Sequence, residues 1–302
     1  MRPVRLGTRG STLALAQAGL VAQMLDADVE LVVITTSGDE TSRTAASSVG
    51  DKSRFVKEIE EALLAGEIDL AVHSAKDVPG VLPDGLAIVG VPAREDARDA
   101  LCGAPSLDEL EPGASVGTSS LRRRAQLLAA RPDLCVSELR GNVDTRLRKL
   151  AEGSHDAVVL AVAGLKRLGR SEGVPVPVDV MTPAPGQGCL ALEARRDDPH
   201  ATTLAGALTD QEALVRLTAE RAVVEGLDAT CHTPVAAYAT LHDDGALWLS
   251  AFAGLPDGST WIRDGLSGSA ADPGALGREV AARLLSAGAG ELLAEAERVA
   301  PA

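Results

Sequence analysis

Short apolar runs that end in Gly-, Ser- or Thr-rich loops alternate with helical patterns through the first 180 residues of this 302-residue chain. The apolar runs have the length of buried strands, and the patterns between them have the period of amphipathic helices. Strands that alternate with helices build parallel sheets covered by helices on both faces. The sequence therefore predicts doubly wound α/β domains. The clearest predicted strands are 4–6, 30–35, 69–73 and 156–162.

The pattern changes after Gly188. Two helical stretches at 202–208 and 212–225 precede three strand-like runs, which are joined by the hairpin turn signals Asp244-Gly245 and Asp257-Gly258. Two more helical stretches close the chain. Strands followed by helices predict a small α+β domain. The predicted strands are 235–241, 246–253 and 260–266, and the closing helices are 273–287 and 291–299.

Composition excludes several classes of protein. The 45% hydrophobic and 24% charged residues are typical of a folded globular chain. A net charge of −14 and only 2% aromatic residues argue against nucleic-acid binding. No apolar stretch reaches 18 residues, so we expect no membrane span. The four cysteines lie far apart without a CxxC spacing, which favours a reduced, cytoplasmic protein with neither disulfides nor a metal site.

Arginine supplies 24 of the 29 positive charges, and the densest group lies between Gly117 and Lys149, where eight basic residues face three acidic ones. A guanidinium binds a carboxylate or phosphate through two parallel hydrogen bonds. An acidic protein that concentrates arginine in one segment is expected to bind an anion there. The alternative is a solvated helical face with surface ion pairs.

The positions of these arginines favour the anion site. The run at 114–116 ends in Gly117-Thr118-Ser119-Ser120 before a helical pattern, and Asn142 precedes a second one. Ser, Thr and Asn cap helix N-termini, whose free N–H groups attract anions. Arginines at these junctions are predicted to lie at the carboxyl ends of strands, where open α/β sheets bind ligands.

Eight segments together are specific to one family. They read, in order, GTRGS with LALAQA, FVKEIEEALL, AVHSAKDVP, VGTSSLRRR with RPDL, LRGNVDTRLRKL, DAVVLAVAGLKRLG, PAPGQG and LTAERAVVEGLDATCHTPVAAYA. This series resembles the porphobilinogen deaminase, or hydroxymethylbilane synthase, family along nearly the whole chain. The resemblance implies two doubly wound α/β domains like those of periplasmic solute-binding proteins, with a hinged cleft, and a small α+β C-terminal domain. The implied boundaries are 1–92 plus 190–212, 93–189 and 213–302.

The resemblance also implies the reaction. Members of this family are transferases of porphyrin and haem biosynthesis that condense porphobilinogen stepwise, with loss of ammonia, into linear hydroxymethylbilane. A dipyrromethane cofactor, held by a thioether to a cysteine that corresponds to Cys231, primes the reaction. Ala229-Thr230 and His232 stand where the family usually has a glycine pair and a glutamine. His232 is interpreted as a surface loop residue.

The family's site residues match this chain one by one. Asp77 is the catalytic candidate, which would move protons and stabilise a cationic methylene-pyrrole; without the resemblance, a helix-capping role is an equal alternative. Lys52 and Phe55 match an active-site loop. Cofactor contacts are assigned to Lys76, Ser119, Ser120, Arg122, Arg123 and Arg140, and substrate contacts to Arg9, Ser11, Thr118, Arg146 and Arg167. Arg124 and Arg148 are set aside as outward-facing.

Two other functions are compatible with the residues alone. A non-enzymatic two-domain protein that binds a small polycarboxylate would share the hinge and the arginines but would leave Cys231 without a role. A polyanion binder would use the arginine segment, although the acidic balance opposes it. The expected partner is the small molecule porphobilinogen, bound by a monomer with no nucleic acid and no membrane.

Overall fold

The computed structural model describes residues 2–36, 56–230 and 233–299. Contacts between Cα atoms divide the chain into two compact units. The first consists of Met1–Glu95 with Cys189–Leu214, and the second of Asp96–Gly188 with Val215–Ala302. Within the described ranges, no helix is both long and apolar enough to cross a membrane.

The first unit is built on a five-stranded sheet in the order β2-β1-β3-β10-β4. Strand β1 is parallel to β2 and β3, whereas β10 is antiparallel to β3 and β4. The strands are β1 (Val4–Arg9), β2 (Val29–Ile34), β3 (Leu70–Ser74), β4 (Leu86–Gly90) and β10 (Leu190–Arg195), and the helices are α1 (Thr12–Met24), α2 (Lys57–Leu64) and α6 (Pro199–Gly206).

Buried aliphatic side chains hold this sheet to its helices. Leu6, Leu70 and Leu192, from three neighbouring strands, are in one core cluster with Val21 of α1. Helix α6 approaches β4 so closely that a Cβ on Gly90 would lie 2.3 Å from the carbonyl oxygen of Ala205. Glycine at this position is therefore what lets the helix lie on the strand.

The second unit contains another five-stranded sheet, in the order β7-β6-β8-β5-β9. Strand β6 is parallel to β7 and β8, and β5 is antiparallel to β8 and β9. The strands are β5 (Asp99–Cys102), β6 (Ser115–Gly117), β7 (Cys135–Ser137), β8 (Ala157–Ala161) and β9 (Val174–Pro175), and the helices are α3 (Leu121–Ala130), α4 (Val143–Ala151) and α5 (Val162–Arg167).

The C-terminal part of the second unit is an antiparallel sheet, β11-β12-β13. Gly245 and Gly258, in the two predicted hairpin turns, both have positive φ, as these turns require. Leu247 and Leu249 of β12 pack against Val280 of the helical layer. The elements are α7 (Gln211–Gly226), β11 (Val235–Leu241), β12 (Ala246–Gly254), β13 (Trp261–Ser269), α8 (Pro273–Ser286) and α9 (Ala289–Val299).

The architecture confirms the predicted class, two doubly wound α/β sheets and a small α+β module. The sequence analysis missed β4, β5, β9 and β10. Strand β4 lies in a segment rich in Pro and Gly, whose composition signals loops. The implied three-domain boundaries stay a prediction.

Candidate active site

In the first unit, predicted site residues follow the carboxyl ends of two neighbouring parallel strands. Strand β1 ends at Arg9, and β3 ends at Ser74, directly before Lys76 and Asp77. Ser11 is the N-cap of α1, where its Oγ accepts a hydrogen bond of 3.3 Å from the Ala14 N–H. This sheet edge is the usual ligand-binding edge of an α/β fold.

Hydrogen bonds fix the backbone that carries Asp77. The Gln17 side chain of α1 donates to Ser74 Oγ at 2.9 Å, and the Ala75 N–H donates to the carbonyl of Cys189 at 3.0 Å. Lys76 and Asp77 complete a single 3-10 turn and are half-buried. Asp77 therefore ends a short turn and does not cap a helix.

In the second unit, the loop after β6 supplies hydroxyl groups. Ser120 is the N-cap of α3, and its Oγ accepts from the Arg123 N–H at 3.4 Å. Thr118 Oγ1 accepts from the Ser120 N–H at 3.2 Å, and Ser119 Oγ accepts from Arg146 Nη2 at 3.0 Å. The structure thus brings four predicted residues of two neighbouring loops together.

The loop after β7 orients Arg146. Asn142 caps α4 by accepting from the Thr145 N–H at 2.9 Å, and Arg146 Nε donates to the Gly141 carbonyl at 2.8 Å. Arg140 is exposed, with Nε 2.6 Å from a Glu138 carboxylate oxygen. These side chains lie at the carboxyl end of β7, as the sequence predicts.

Arg167 belongs to a separate junction. It is the last residue of α5, the helix that follows β8, and it is half-buried. Its Nη2 donates to the carbonyl of Gly188 at 2.7 Å. Arg167 is therefore held against the loop that precedes β10.

Arg122 and Arg123 are buried and share one acidic partner, Asp99. Arg122 binds it with both terminal nitrogens, at 2.7 Å (Nη1–Oδ2) and 3.2 Å (Nη2–Oδ1). Arg123 approaches Oδ1 with Nε at 3.0 Å and Nη2 at 2.8 Å. The assignment of both arginines to a cofactor stays a prediction. The structure shows in addition that both bind a carboxylate of the protein itself, that of Asp99.

This cluster has an excess of positive charge. Burial opposes the ionisation of Asp99, but the two guanidiniums and its hydrogen bonds outweigh burial and hold the Asp99 pKa well below its usual range. Burial, with a further contribution from the charge of Arg123, lowers the pKa of Arg146 to about 10. Arginine stays charged at neutral pH. Two buried guanidiniums therefore share the carboxylate of Asp99, and the guanidinium of Arg146 lies within electrostatic reach of Arg123 and Glu138.

Three predicted residues, Lys52, Phe55 and Cys231, lie outside the described residues. Thr230 and Thr233, the residues on either side of 231–232, are joined by hydrogen bonds. The Thr230 N–H donates to Thr233 Oγ1 at 2.8 Å, and the Thr233 N–H donates to the Thr230 carbonyl at 3.1 Å.

The three cysteines within the described ranges differ in environment. Cys102 and Cys189 are buried, whereas Cys135 is exposed. Burial raises the pKa of the Cys102 thiol to about 11, so it is a poor nucleophile. Among the described side chains, no three His, Cys, Asp or Glu residues gather as a metal site.

Sequence reasoning missed Asp99 and misplaced Arg124. An acidic residue at the start of the apolar run 100–102 was the available signal for Asp99. Arg124 is not outward-facing, because its guanidinium donates to the carbonyls of Val136 (2.8 Å) and Pro256 (3.2 Å), which ties α3 to the β12–β13 turn. Arg148, by contrast, is exposed and pairs with Glu152 at 2.6 Å.

Comparisons with known proteins identify the family of this chain. The family model "Porphobilinogen deaminase, dipyromethane cofactor binding domain" matches residues 4–203, and "Porphobilinogen deaminase, C-terminal domain" matches 214–286. A relative called porphobilinogen deaminase from Brevibacillus brevis is 46% identical, with 97% of each chain covered. Another of that name, from Sulfurimonas denitrificans, is 44% identical, with 98% of each covered.

Among solved structures, a periplasmic substrate-binding protein from Coxiella burnetii has a TM-score of 0.41 and 16% identity, covering 70% of this chain and 94% of its own. The two family models together match most of the chain, and both relatives exceed 40% identity over nearly its full length. The chain belongs to the porphobilinogen deaminase family.

Proposed function

We propose that this chain condenses porphobilinogen units stepwise, with release of ammonia, into linear hydroxymethylbilane, on a dipyrromethane held by a thioether to Cys231. Family membership over nearly the full length supports this reaction. The observation that carries the proposal for this chain is the buried cluster in which two guanidiniums, those of Arg122 and Arg123, share the single carboxylate of Asp99. The buried thiols of Cys102 and Cys189 support a reducing compartment, the cytoplasm, and we propose that a single chain suffices.

The residues of the second unit fit a dipyrromethane, whose rings each carry an acetate and a propionate. A desolvated carboxylate without a partner is costly, and a charge-assisted bond to arginine offsets that cost. The excess of guanidinium over carboxylate around Asp99 matches this need. Ser119, Ser120, Arg122, Arg123 and Arg140, with Lys76 of the first unit, would hold the group. When bound, it supplies the pyrrole carbon to which substrate is added.

Asp77 is proposed as the residue that moves protons. As a carboxylic acid, Asp77, at the end of a hydrogen-bonded 3-10 turn, would give its proton to the leaving amine, and the resulting carboxylate would later accept a proton from the terminal ring. The same negative charge would stabilise the cationic methylene-pyrrole formed from the substrate. Arg9, Ser11, Thr118, Arg146 and Arg167 are proposed to bind substrate carboxylates.

Intact mass tests the covalent attachment. We expect the purified parent to be heavier than its sequence by a dipyrromethane, and the Cys231→Ser variant to have its sequence mass, since a hydroxyl is a far poorer nucleophile than a thiolate. Cys135→Ser, at an exposed cysteine, is the matched control and should keep the adduct. A parent without an adduct that binds polycarboxylates reversibly would instead identify a binding protein.

Turnover of porphobilinogen tests Asp77. We expect Asp77→Asn to fold and to lose about 10² to 10⁴-fold in turnover, because an amide neither moves protons nor stabilises a cation. Asp84→Asn, an exposed aspartate a few residues further on, should retain the parental rate. Activity of Asp77→Asn within about tenfold of the parent would assign proton transfer to another group.

A further inference from the structure

Asp99 is a fully buried carboxylate that is not among the predicted site residues. It begins β5, and its two oxygens accept hydrogen bonds from three side chains, those of Arg122, Arg123 and Gln187. A buried charge costs free energy unless it is paired and hydrogen-bonded. Here the pairing is complete, with every contact from Arg122 or Gln187 between 2.7 and 3.2 Å.

The same carboxylate lets two guanidiniums lie side by side. Like charges at short distance in a dry environment repel strongly, and a shared anion between them removes that repulsion. Each guanidinium makes three donor contacts, two to Asp99 and one to a backbone carbonyl. The carbonyl is that of Thr182 for Arg122 and that of Val159 for Arg123. A guanidinium has five N–H donors, so each arginine keeps donors for a further acceptor.

Two glutamine side chains hold the groups that bind the arginines, namely the backbone of Thr182 and the carboxylate of Asp99. The side chain of Gln126 donates to the Thr182 carbonyl at 3.0 Å and accepts from the Thr182 N–H at 2.8 Å. The Gln187 side chain donates both to Asp99 Oδ1 at 2.9 Å and to the Ala97 carbonyl at 2.7 Å. The side chains that bind Asp99 are therefore themselves hydrogen-bonded to backbone, Gln187 to Ala97 and Arg122 to Thr182.

We infer that Asp99 is a positioning residue for the proposed reaction, which holds Arg122 and Arg123 side by side so that their remaining donors receive the carboxylates of the dipyrromethane. The inference rests on the proposed function. One internal carboxylate leaves the pair with a single net positive charge, enough to attract an anionic group without two bare guanidiniums repelling each other. Asp99 itself touches neither cofactor nor substrate in this role.

Asp99→Asn tests the inference, because it keeps the shape of the side chain and removes its charge. The control is Asp156→Asn, which changes an aspartate of the same unit that binds Ser115 and no arginine. With folding verified by circular dichroism, we expect the fraction that carries the adduct, measured by intact mass, to fall about tenfold or more in Asp99→Asn only. In the loaded fraction, KM for porphobilinogen and kcat should both stay within about twofold of the parent, since Asp99 acts on the cofactor contacts and not on the substrate contacts.

A double-mutant cycle separates an effect through the arginines from a general structural one. If Asp99 acts through Arg123, adding Arg123→Gln to Asp99→Asn should lower the fraction that carries the adduct by a much smaller factor than adding it to the parent. Arg140→Gln, at an exposed arginine that pairs with Glu138, should lower the fraction that carries the adduct by the same factor in both backgrounds. Multiplicative effects of Asp99→Asn and Arg123→Gln would overturn the inference.

The remaining outcomes are also decisive. A loaded fraction of Asp99→Asn within about twofold of that of Asp156→Asn would overturn the positioning role. If Asp99→Asn does not fold, Gln187→Leu decides, because it keeps the charge of Asp99 and removes the neutral donor that Asp99 shares with the Ala97 carbonyl. A loaded fraction that falls about threefold or more supports the role, and an unchanged loaded fraction overturns it. A parent that neither carries an adduct nor consumes porphobilinogen would refute the proposed function, and the inference with it.

Discussion

Two buried carboxyl groups of this chain have pKa values shifted in opposite directions. Asp99 has two guanidinium partners, which outweigh the cost of burial and lower its pKa. Glu60 of α2 is buried near the carboxylate of Glu193, and burial first, then this negative charge, raises its pKa to about 7. His73 Nε2 and Glu193 Oε2 lie 3.0 Å apart, a close contact without hydrogen-bond alignment. The identity of the neighbours, rather than burial alone, decides the charge state.

Glu60 should make the stability of the protein depend on pH. Its pKa of about 7 in the folded protein exceeds the ordinary 4.5, so its stabilising contribution is complete below pH 4.5 and is lost as pH rises through about 7. Glu60→Gln removes this loss. Relative to the parent, we expect the variant to gain about 1–3 kcal/mol in free energy of unfolding between pH 5 and pH 8, measured with urea.

The neighbouring Glu61 provides the control for this experiment. Its side chain is 63% exposed and lies 3.8 Å from Lys57. Glu61→Gln should therefore change stability by less than about 0.5 kcal/mol at either pH. A Glu60→Gln effect that is equal at pH 5 and pH 8 would contradict the assignment.

At the scale of elements, local chemistry was predictable and long-range pairing was not. Ser120 and Asn142 cap helices as the sequence predicts, because a cap needs only its own turn. Strand β5 was missed because its first residue, Asp99, is charged, and the arginines that stabilise it lie more than twenty residues further along the chain. Similarly, the arginines were correctly placed at strand ends, but their internal partner was invisible in the sequence.

Replacing Gly90 and Gly19 by alanine should change the stability of the protein in opposite directions. At Gly90 a Cβ would lie 2.3 Å from the Ala205 carbonyl oxygen, whereas at Gly19 in α1 it would meet nothing within 4 Å. We expect Gly90→Ala to destabilise the protein by about 1–3 kcal/mol, since α6 must move off β4. Gly19→Ala should stabilise it by about 0.5–1 kcal/mol through helix propensity. Urea unfolding of both variants checks this, and a shift of the same sign in both would refute the packing of α6 on β4.

At the scale of the whole molecule, charge is unevenly distributed. The chain has a net charge of −14, yet six of its arginines lie on α3, α4 and α5, the helices that follow β6, β7 and β8. Each added porphobilinogen brings two carboxylates, so the demand for guanidinium partners grows during the proposed reaction. Arginines that follow different strands are therefore expected to act at different stages. Arg122 and Arg123 follow β6, whereas Arg167 ends the helix after β8.

Arg167 should act late and Arg123 early. We expect Arg167→Gln to carry the adduct as the parent does but to stall during elongation, because a carboxylate of the longer chain loses its partner at a cost of about 2–5 kcal/mol. With limiting porphobilinogen, intact mass should show a series of covalent pyrrole additions. Arg123→Leu should carry no adduct at all. Arg170→Gln, at an exposed arginine paired with Asp144 at 2.8 Å, is the control and should turn over normally. The division is wrong if Arg167→Gln accumulates no intermediate, or if Arg123→Leu is loaded and extended like the parent.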